Sequence, residues 1–370
     1  MPKIDAKKLA TLQGEELLST LEQDAVKNGI SDIHITPQKN CVKVEWRELG
    51  LLQKLLDISH ETFETMRRRI KFKSKLKLNV DTIAQDGQYT FAADSRFVNV
   101  RVATLPTRFG EKLTLRMLDP QHGIIALSKL GIAPEVEKAL AELVQLPNGL
   151  VLVTGPTGSG KTTTLYALLA TIIGKSRNII TLEDPIEYEI AGITQSEINP
   201  DRDYNFSNGL RSILRHDPDV ILVGEIRDLE TAQMAVNASL TGHLVLSTLH
   251  TNSAPESIQR LLSMGVSPYT LAPALRAILA QRLIRTLAEP YSKGAPVTDP
   301  SDPKIFGGQT AVTELLLVTP AIQKLILNLE STEAIVTEAK KEGFITMRER
   351  ADALIAAKLT LREEVARVIS

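Results

Sequence analysis

Residues 150–165 read LVLVTGPTGSGKTTTL, and this stretch decides the fold. Its first five residues are a short apolar run. The run ends in Gly155-Pro156-Thr157-Gly158-Ser159-Gly160-Lys161-Thr162, a full match to G-x-x-x-x-G-K-[ST]. A chance match in a chain of this length is on the order of 1%. The context fits as well, because an apolar strand pattern precedes the motif and a helix pattern rich in Leu, Ala and Thr follows it. Only glycines let the backbone curl closely enough for successive N–H groups to point at phosphate oxygens. Lys161 adds a point charge for the β- and γ-phosphates, and Thr162 offers a hydroxyl to Mg2+. The helix N-terminus, through Thr163, supplies the remaining positive field. Residues 155–163 are therefore expected to bind a nucleotide.

Outward from the loop, three more apolar runs recur at 179–182, 220–223 and 244–247. Helical patterns separate most of them, which predicts an α/β fold with a parallel sheet covered on both faces. Beyond Gln281 the pattern reads as helical, broken by a Pro/Gly/Ser/Asp-rich loop over 289–308, and from Glu333 it predicts helices able to pack as a bundle. Upstream, Leu9, Leu12, Leu17, Leu18, Leu21 and Ala25 predict an amphipathic helix ended by Asn28-Gly29. Strands are expected at 32–36, 42–47 and 50–55, then a helix over 60–72, then strands through 89–91, 98–105 and 112–118. That is a small α+β domain. The turn residues Asp119-Pro-Gln-His-Gly123 place the linker, giving domains 1–119 and 127–370 joined by 120–126.

Composition narrows the function classes. The 370 residues are 43% hydrophobic and 24% charged, a globular balance. Lys and Arg number 43 against 44 Asp and Glu, so the net charge of -1 gives no global field for nucleic acid or anionic lipid. A single cysteine, Cys41, excludes an internal disulfide and any zinc site of several thiolates. The charged opening, MPKIDAKKLATLQGEELL, lacks the apolar core of a signal peptide, and no apolar run approaches the roughly 20 residues that cross a bilayer. A cytoplasmic protein that meets membranes only through partners is expected.

The ends of the apolar runs carry the next candidates, because ligands gather at strand C-termini in open α/β sheets. The run 220–223 ends in Gly224-Glu225, and a carboxylate there can orient or deprotonate water for attack on a γ-phosphate. Glu183-Asp184-Pro185-Ile186-Glu187 ends the run 179–182. His243 and His250 bracket the run 244–247, so they need not lie together. His243 has an equally good structural reading, and His250, at the strand's exit, is the better phosphate-facing candidate.

In order, the phosphate loop, ITLEDPIEY, SILRHDPDVILVGEIRDLETA and TGHLVLSTLHTNSA resemble the secretion ATPases of type II secretion and type IV pilus systems. SDIHI at 31–35, AQDGQ at 84–88, LPTRFGEKLTLRML at 105–118 and QRLIRTL at 281–287 extend the resemblance over nearly the whole chain. It implies a RecA-like P-loop ATPase domain, a smaller N-terminal PAS-like α+β domain, a helical C-terminal tail and a homohexamer that binds ATP and Mg2+. It also implies an inner-membrane platform protein and other pilus or secretion assembly proteins as partners. Carried over by position, Lys161, Glu225, Glu183 and His250 are catalytic, His243 joins the nucleotide site, and Thr162, Glu183 and Glu225 hold Mg2+. Arg101 and Arg116 match N-domain arginines that reach the nucleotide, where a guanidinium fork neutralises charge on the γ-phosphate. The alternative for Arg116 is a solvated strand charge.

Two departures stand out. Assembly-type members carry a tetracysteine zinc site after the QRLIRTL-like motif, whereas residues 288–308 hold no cysteine, so no zinc is expected. The extra N-terminal domain of many such members is also missing from the pattern. In length the chain is like retraction motors, and in wording it is closer to assembly motors. Assembly is the main expectation, with a retraction motor, a nucleic-acid translocase on the same core and a slow nucleotide switch as rivals. The basic run from Arg67 to Lys77 alternates with Phe72 and Leu76, which reads as a half-buried element with a solvated face rather than a nucleic-acid site.

Overall fold

The computed structural model describes Leu9, 11–94, 96–300 and 302–369, so most of the charged opening read against a signal peptide lies outside the described residues. The chain divides into two compact units, Met1–Gly123 and Ile124–Ser370.

In the first unit, α1 (Gly14–Lys27) and α2 (His60–Lys73) pack on one face of a six-stranded sheet. Its strands are β1 (Asp32–Pro37), β2 (Val42–Glu48), β3 (Leu51–Ile58), β4 (Gln85–Ala93), β5 (Arg96–Thr107) and β6 (Gly110–Leu118), in the order β3-β2-β1-β6-β5-β4. All neighbours are antiparallel. Period-2 alternation turns Ile33, Ile35, Val44, Val100, Val102, Leu113 and Leu115 into the core and leaves the other face mostly polar, with Phe97 and Leu105 exposed on it. α1 ends where the sequence expects: the Ile30 N–H closes on Ala25 O at 2.9 Å, and Gly29 takes a φ of 64°.

The basic run inverts its expected phase. Phe63, Met66 and Ile70 set the buried stripe of α2, and Lys71 lies beside it, fully buried. Phe72 sits roughly 200° around the axis from Ile70 and is 65% exposed. Lys71 Nζ donates to Val80 O at 2.6 Å and pairs with Glu111 at 2.9 Å, while Arg67 pairs with Glu64 and Glu111 and Lys73 with Glu22.

The second unit is built on β7 (Gly149–Thr154), β8 (Ile179–Glu183), β9 (Thr194–Glu197), β10 (Val220–Val223), β11 (Leu244–Leu249), β12 (Leu275–Leu287) and β13 (Phe306–Leu317). The order is β13-β12-β7-β11-β10-β8-β9, parallel from β12 to β9, with β13 antiparallel at the edge. One face carries α3 (Pro134–Leu143) and α4 (Lys161–Ala170). The other carries α5 (Phe206–Ile213), α6 (Leu229–Leu240), α7 (Ala254–Ser263) and α8 (Pro268–Ala274). Strands in the middle alternate between the two cores, with Val151 and Val153 toward one and Leu150 and Leu152 toward the other.

The helical reading beyond Gln281 is corrected. Residues 281–287 finish β12, a 13-residue strand, and residues 306–317 return beside it as β13. A strand buried on both faces shows no alternation, so its apolar run cannot be told from a buried helix by period. The tail does form helices, α9 (Pro320–Leu327), α10 (Thr332–Lys341), α11 (Met347–Ala356) and α12 (Arg362–Val368). They are not a separate bundle, since Ile322, Ile335, Met347 and Val365 share one core with Leu150, Val245 and Ile278. Among the described residues, no helix is long and apolar enough to cross a membrane.

Candidate nucleotide site

β7 is buried along its whole length and runs into the loop at Gly155. Gly155, Gly158 and Gly160 adopt φ of 148°, 78° and 86°, which side chains resist. Space is short too: a Cβ on Gly155 would stand 2.5 Å from Gln281 O, and one on Gly160 would stand 2.8 Å from Gln281 Nε2. Inside the loop, the buried Ser159 hydroxyl has no protein partner. Lys161 Nζ folds over the loop, donating to Gly155 O at 2.8 Å and Pro156 O at 3.1 Å. Burial pushes its ammonium below the usual lysine range, against the pull of Glu225 and with the repulsion of Arg282. Thr162 and Thr163 are half-buried in the first turn of α4, Pro156 and Thr157 exposed at the loop tip. A curled run of N–H groups, an unpartnered hydroxyl and a lysine spending its donors on carbonyls fits a phosphate chain.

Glu225 stands beyond the C-terminus of β10, and the neighbouring strands hold its backbone. Gly224 N donates to Leu182 O at 2.8 Å, Thr248 Oγ1 donates to Gly224 O at 2.7 Å, and Ile226 N donates to Thr248 O at 3.0 Å. The carboxylate pairs with Arg227 on one oxygen and lies 3.3 Å from His250 Nε2 on the other. Arg227 also reaches Asp184 at 3.7 Å, and its guanidinium is raised above the usual range chiefly by its bond with Glu225. The structure thus brings Lys161, Glu225, His250 and Asp184 to one end of the sheet.

Two expected site residues have other partners. Glu183, read as a metal ligand, is buried, and its oxygens are taken by Tyr166 OH, Thr181 Oγ1 at 2.5 Å and Gln195 Nε2 at 3.2 Å. With three internal donors it anchors α4 to β8, and burial followed by the Glu183 charge raises the Tyr166 phenol. His243 precedes β11, whereas the phosphate loop follows the parallel β7, so within the chain they lie at opposite ends of the sheet. With six residues of strand between them, His243 stands about 23 Å from His250 along it. Its Nδ1 faces Ala238 O at 3.0 Å, a local tie at the end of α6.

Arg101 and Arg116 lie opposite each other on β5 and β6, on the polar face of the first unit. Arg116 Nε donates to Asp32 Oδ1 at 3.0 Å and the side chain is 54% exposed. Like charges directly opposite repel unless a counter-charge sits by them. Asp32, beside Arg116 in the register and 3.8 Å from Arg47, is that counter-charge.

The sequence reading did not assign Gln281, Arg282, Tyr166 or Arg227 to the site. Arg227 was legible as the second residue after Glu225. Tyr166 follows from α4, which opens at the loop, and Gln281 and Arg282 reach the site only through the sheet order.

A parallel α/β sheet with a phosphate loop after β7 and a carboxylate at the end of the non-adjacent β10 defines a P-loop nucleotide hydrolase. The family described as type II/IV secretion system protein matches residues 8–367, and the chain belongs to that family. It is 40% identical over 361 residues to the type II secretion system protein HxcR of Pseudomonas aeruginosa, covering 95% of this chain and 76% of that one. It is likewise 40% identical over 376 residues to the type II secretion system ATPase E of Vibrio cholerae, covering 95% and 75%. Among solved structures, the pilus retraction motor PilT with bound ADP aligns at a TM-score of 0.62 with 29% identity, over 96% of this chain and 99% of that one. The ATPase DotB of Legionella pneumophila shares the fold at a TM-score of 0.76 and 22% identity, over 99% and 97%. The protein is an ATPase of the type II secretion class.

Proposed function

We propose that the chain works as a homohexameric motor at the cytoplasmic face of the inner membrane, coupling ATP hydrolysis to the assembly of pilin-like subunits. The carrying observation is Glu225, held at the end of β10 between Arg227 and His250 on the side of the sheet where Lys161 closes the phosphate loop. Lys161 exchanges its two carbonyl partners for β- and γ-phosphate oxygens. Glu225 accepts the proton of the attacking water, and Arg227 and His250 fix its two oxygens. Mg2+ would accompany the bound phosphates, with the half-buried Thr162 hydroxyl in the first turn of α4 and the Glu225 carboxylate the residues that would hold it. When bound, it spreads the charge of those phosphates.

Arg101 and Arg116 lie opposite each other on neighbouring strands of one face, a placement that supports their reading as partners of the nucleotide phosphates. Residues 1–119 are read as the PAS-like domain, 120–126 as the linker and 127–370 as the motor domain; the division after Gly123 supports that reading. The pairing of Arg67, Lys71 and Lys73 with acids of their own unit supports protein partners, an inner-membrane platform among them, over nucleic acid. Identity of 40% to type II secretion proteins, against 29% to the retraction motor, favours assembly over retraction.

Phosphate release from the full chain tests this. Lys161→Ala should remove ATP turnover while the fold persists, and the double variant Arg101→Ala, Arg116→Ala should still bind ATP but lose at least about 10²-fold in rate. Wild-type turnover in the first would end the hydrolase mechanism, and in the second would leave the arginines structural.

A further inference from the structure

Gln281 is a primary amide inside a strand otherwise buried and largely apolar, and it is 1% exposed. Burying an amide is costly unless both its ends are paired. Here they are: Nε2 donates to Ser159 O at 2.5 Å, and Oε1 accepts from Thr164 Oγ1 at 2.8 Å. The two contacts span the junction between the phosphate loop and α4, from a strand more than a hundred residues downstream. Ser159 O can only accept, so the NH2 end must face it.

The consequence follows from the peptide bond. In a trans, planar peptide the C=O of one residue and the N–H of the next point in opposite directions. Gripping the Ser159 carbonyl therefore turns the Gly160 N–H the other way, away from Gln281. The 2.8 Å approach of a Gly160 Cβ to Gln281 Nε2 shows how little room the grip leaves. The next residue, Arg282, is 8% exposed and gives NH2 to Asn252 O and Oδ1, each at 3.1 Å. Asn252 lies two residues after His250, so consecutive positions of β12 hold the phosphate loop and the loop that carries His250.

We infer that Gln281 is a positioning residue which sets the peptide plane between Ser159 and Gly160 and so aims the Gly160 N–H at a bound phosphate, with Arg282 holding the His250 loop to the same strand. The inference rests on the nucleotide-site reading above. It does not place Gln281 on the nucleotide; the residue acts through the loop.

The test uses the full chain and a fluorescent ATP analogue, with affinity measured between pH 6 and pH 8. Gln281→Met keeps length and bulk but has no N–H, and should weaken binding about tenfold at both pH values. Gln281→Glu still accepts from Thr164, yet its ionised form sets an acceptor against Ser159 O. It should weaken binding at least tenfold at pH 8. Burial against a carbonyl acceptor pushes the introduced carboxyl up from the ordinary glutamate range, so toward pH 6 the protonated acid donates to Ser159 O and its deficit relative to wild type should shrink at least threefold. A purely structural role gives no such recovery. Binding by Gln281→Met within twofold of wild type would overturn the inference, as would a Gln281→Glu deficit that ignores pH. If Gln281→Met does not fold, the pH profile of Gln281→Glu decides alone. Lys161→Ala is run alongside. If it too binds as wild type, the nucleotide reading falls. If it loses binding while both Gln281 variants keep theirs, the Gln281 inference falls alone.

Discussion

Replacing Glu225 by glutamine separates nucleotide binding from hydrolysis. The side chain is 16% exposed, tied to Arg227 and close to His250, and its backbone is bonded to the flanking strands. Glutamine keeps the shape and can still accept from Arg227, so the strand end should hold its form. What disappears is the ability to take a proton from water. General-base removal costs about 10²–10⁴ in rate, or about 3–5 kcal/mol on the barrier. The substitution also deletes a negative charge that acts on Lys161, so the loop becomes more positive and ATP affinity should hold or rise. Affinity and steady-state phosphate release are measured on one preparation. A solvated carboxylate with no part in proton transfer predicts a loss of a few fold. Turnover within tenfold of wild type would refute the assignment.

Tyr166→Phe removes one of three donors to the buried Glu183 and should destabilise the chain by about 1.5–3 kcal/mol, read from urea unfolding; an unchanged midpoint would mean the pair carries no stability. Glu364 is pushed up by burial, but bonds from Arg367 and Arg285 win and hold its carboxyl at about 2. A depressed carboxylate stabilises the fold fully above its ordinary value near 4.5 and loses that contribution as the pH falls toward 2. The stability advantage of wild type over Glu364→Gln should therefore narrow between pH 5 and pH 3, and a constant gap across that window would contradict the assignment.

The phosphate loop was legible because its chemistry is local: eight consecutive residues hold the glycines, the lysine and the hydroxyl. Strands β8, β10 and β11 were legible as apolar runs with turn residues at their ends. β12 was not, because burial on both faces erases the alternation that marks a strand, and β13, its edge partner, begins inside the Gly-rich stretch that reads as a loop. For Lys71 and Phe72 the alternation was read with a period of 2 on a segment that is helical, which exchanges inside for outside. His250 was legible as the better phosphate-facing histidine because it follows its strand, whereas His243 entered the site through the family resemblance alone, at the strand end away from the loop. The three donors that occupy Glu183 come from its own strand, from β9 and from α4, up to 17 residues away, so the sequence did not show them. Gln281 was invisible as a site residue for the same reason at greater range, since only the order β12-β7 puts it behind the loop.

The shared core of the C-terminal helices bears on how the motor unit opens. Ile322, Ile335 and Val365 are fully buried against the layer that holds β7, β10 and β11. Elements that share one apolar core open together rather than in turn. Amide protons in α9 through α12 should then exchange with solvent at the pace of the central strands, not at the faster pace of a fraying tail. Cutting the chain before α9 would bare the apolar face that these helices cover on the nucleotide-binding sheet, an aggregation hazard built into any shortened version of this motor unit.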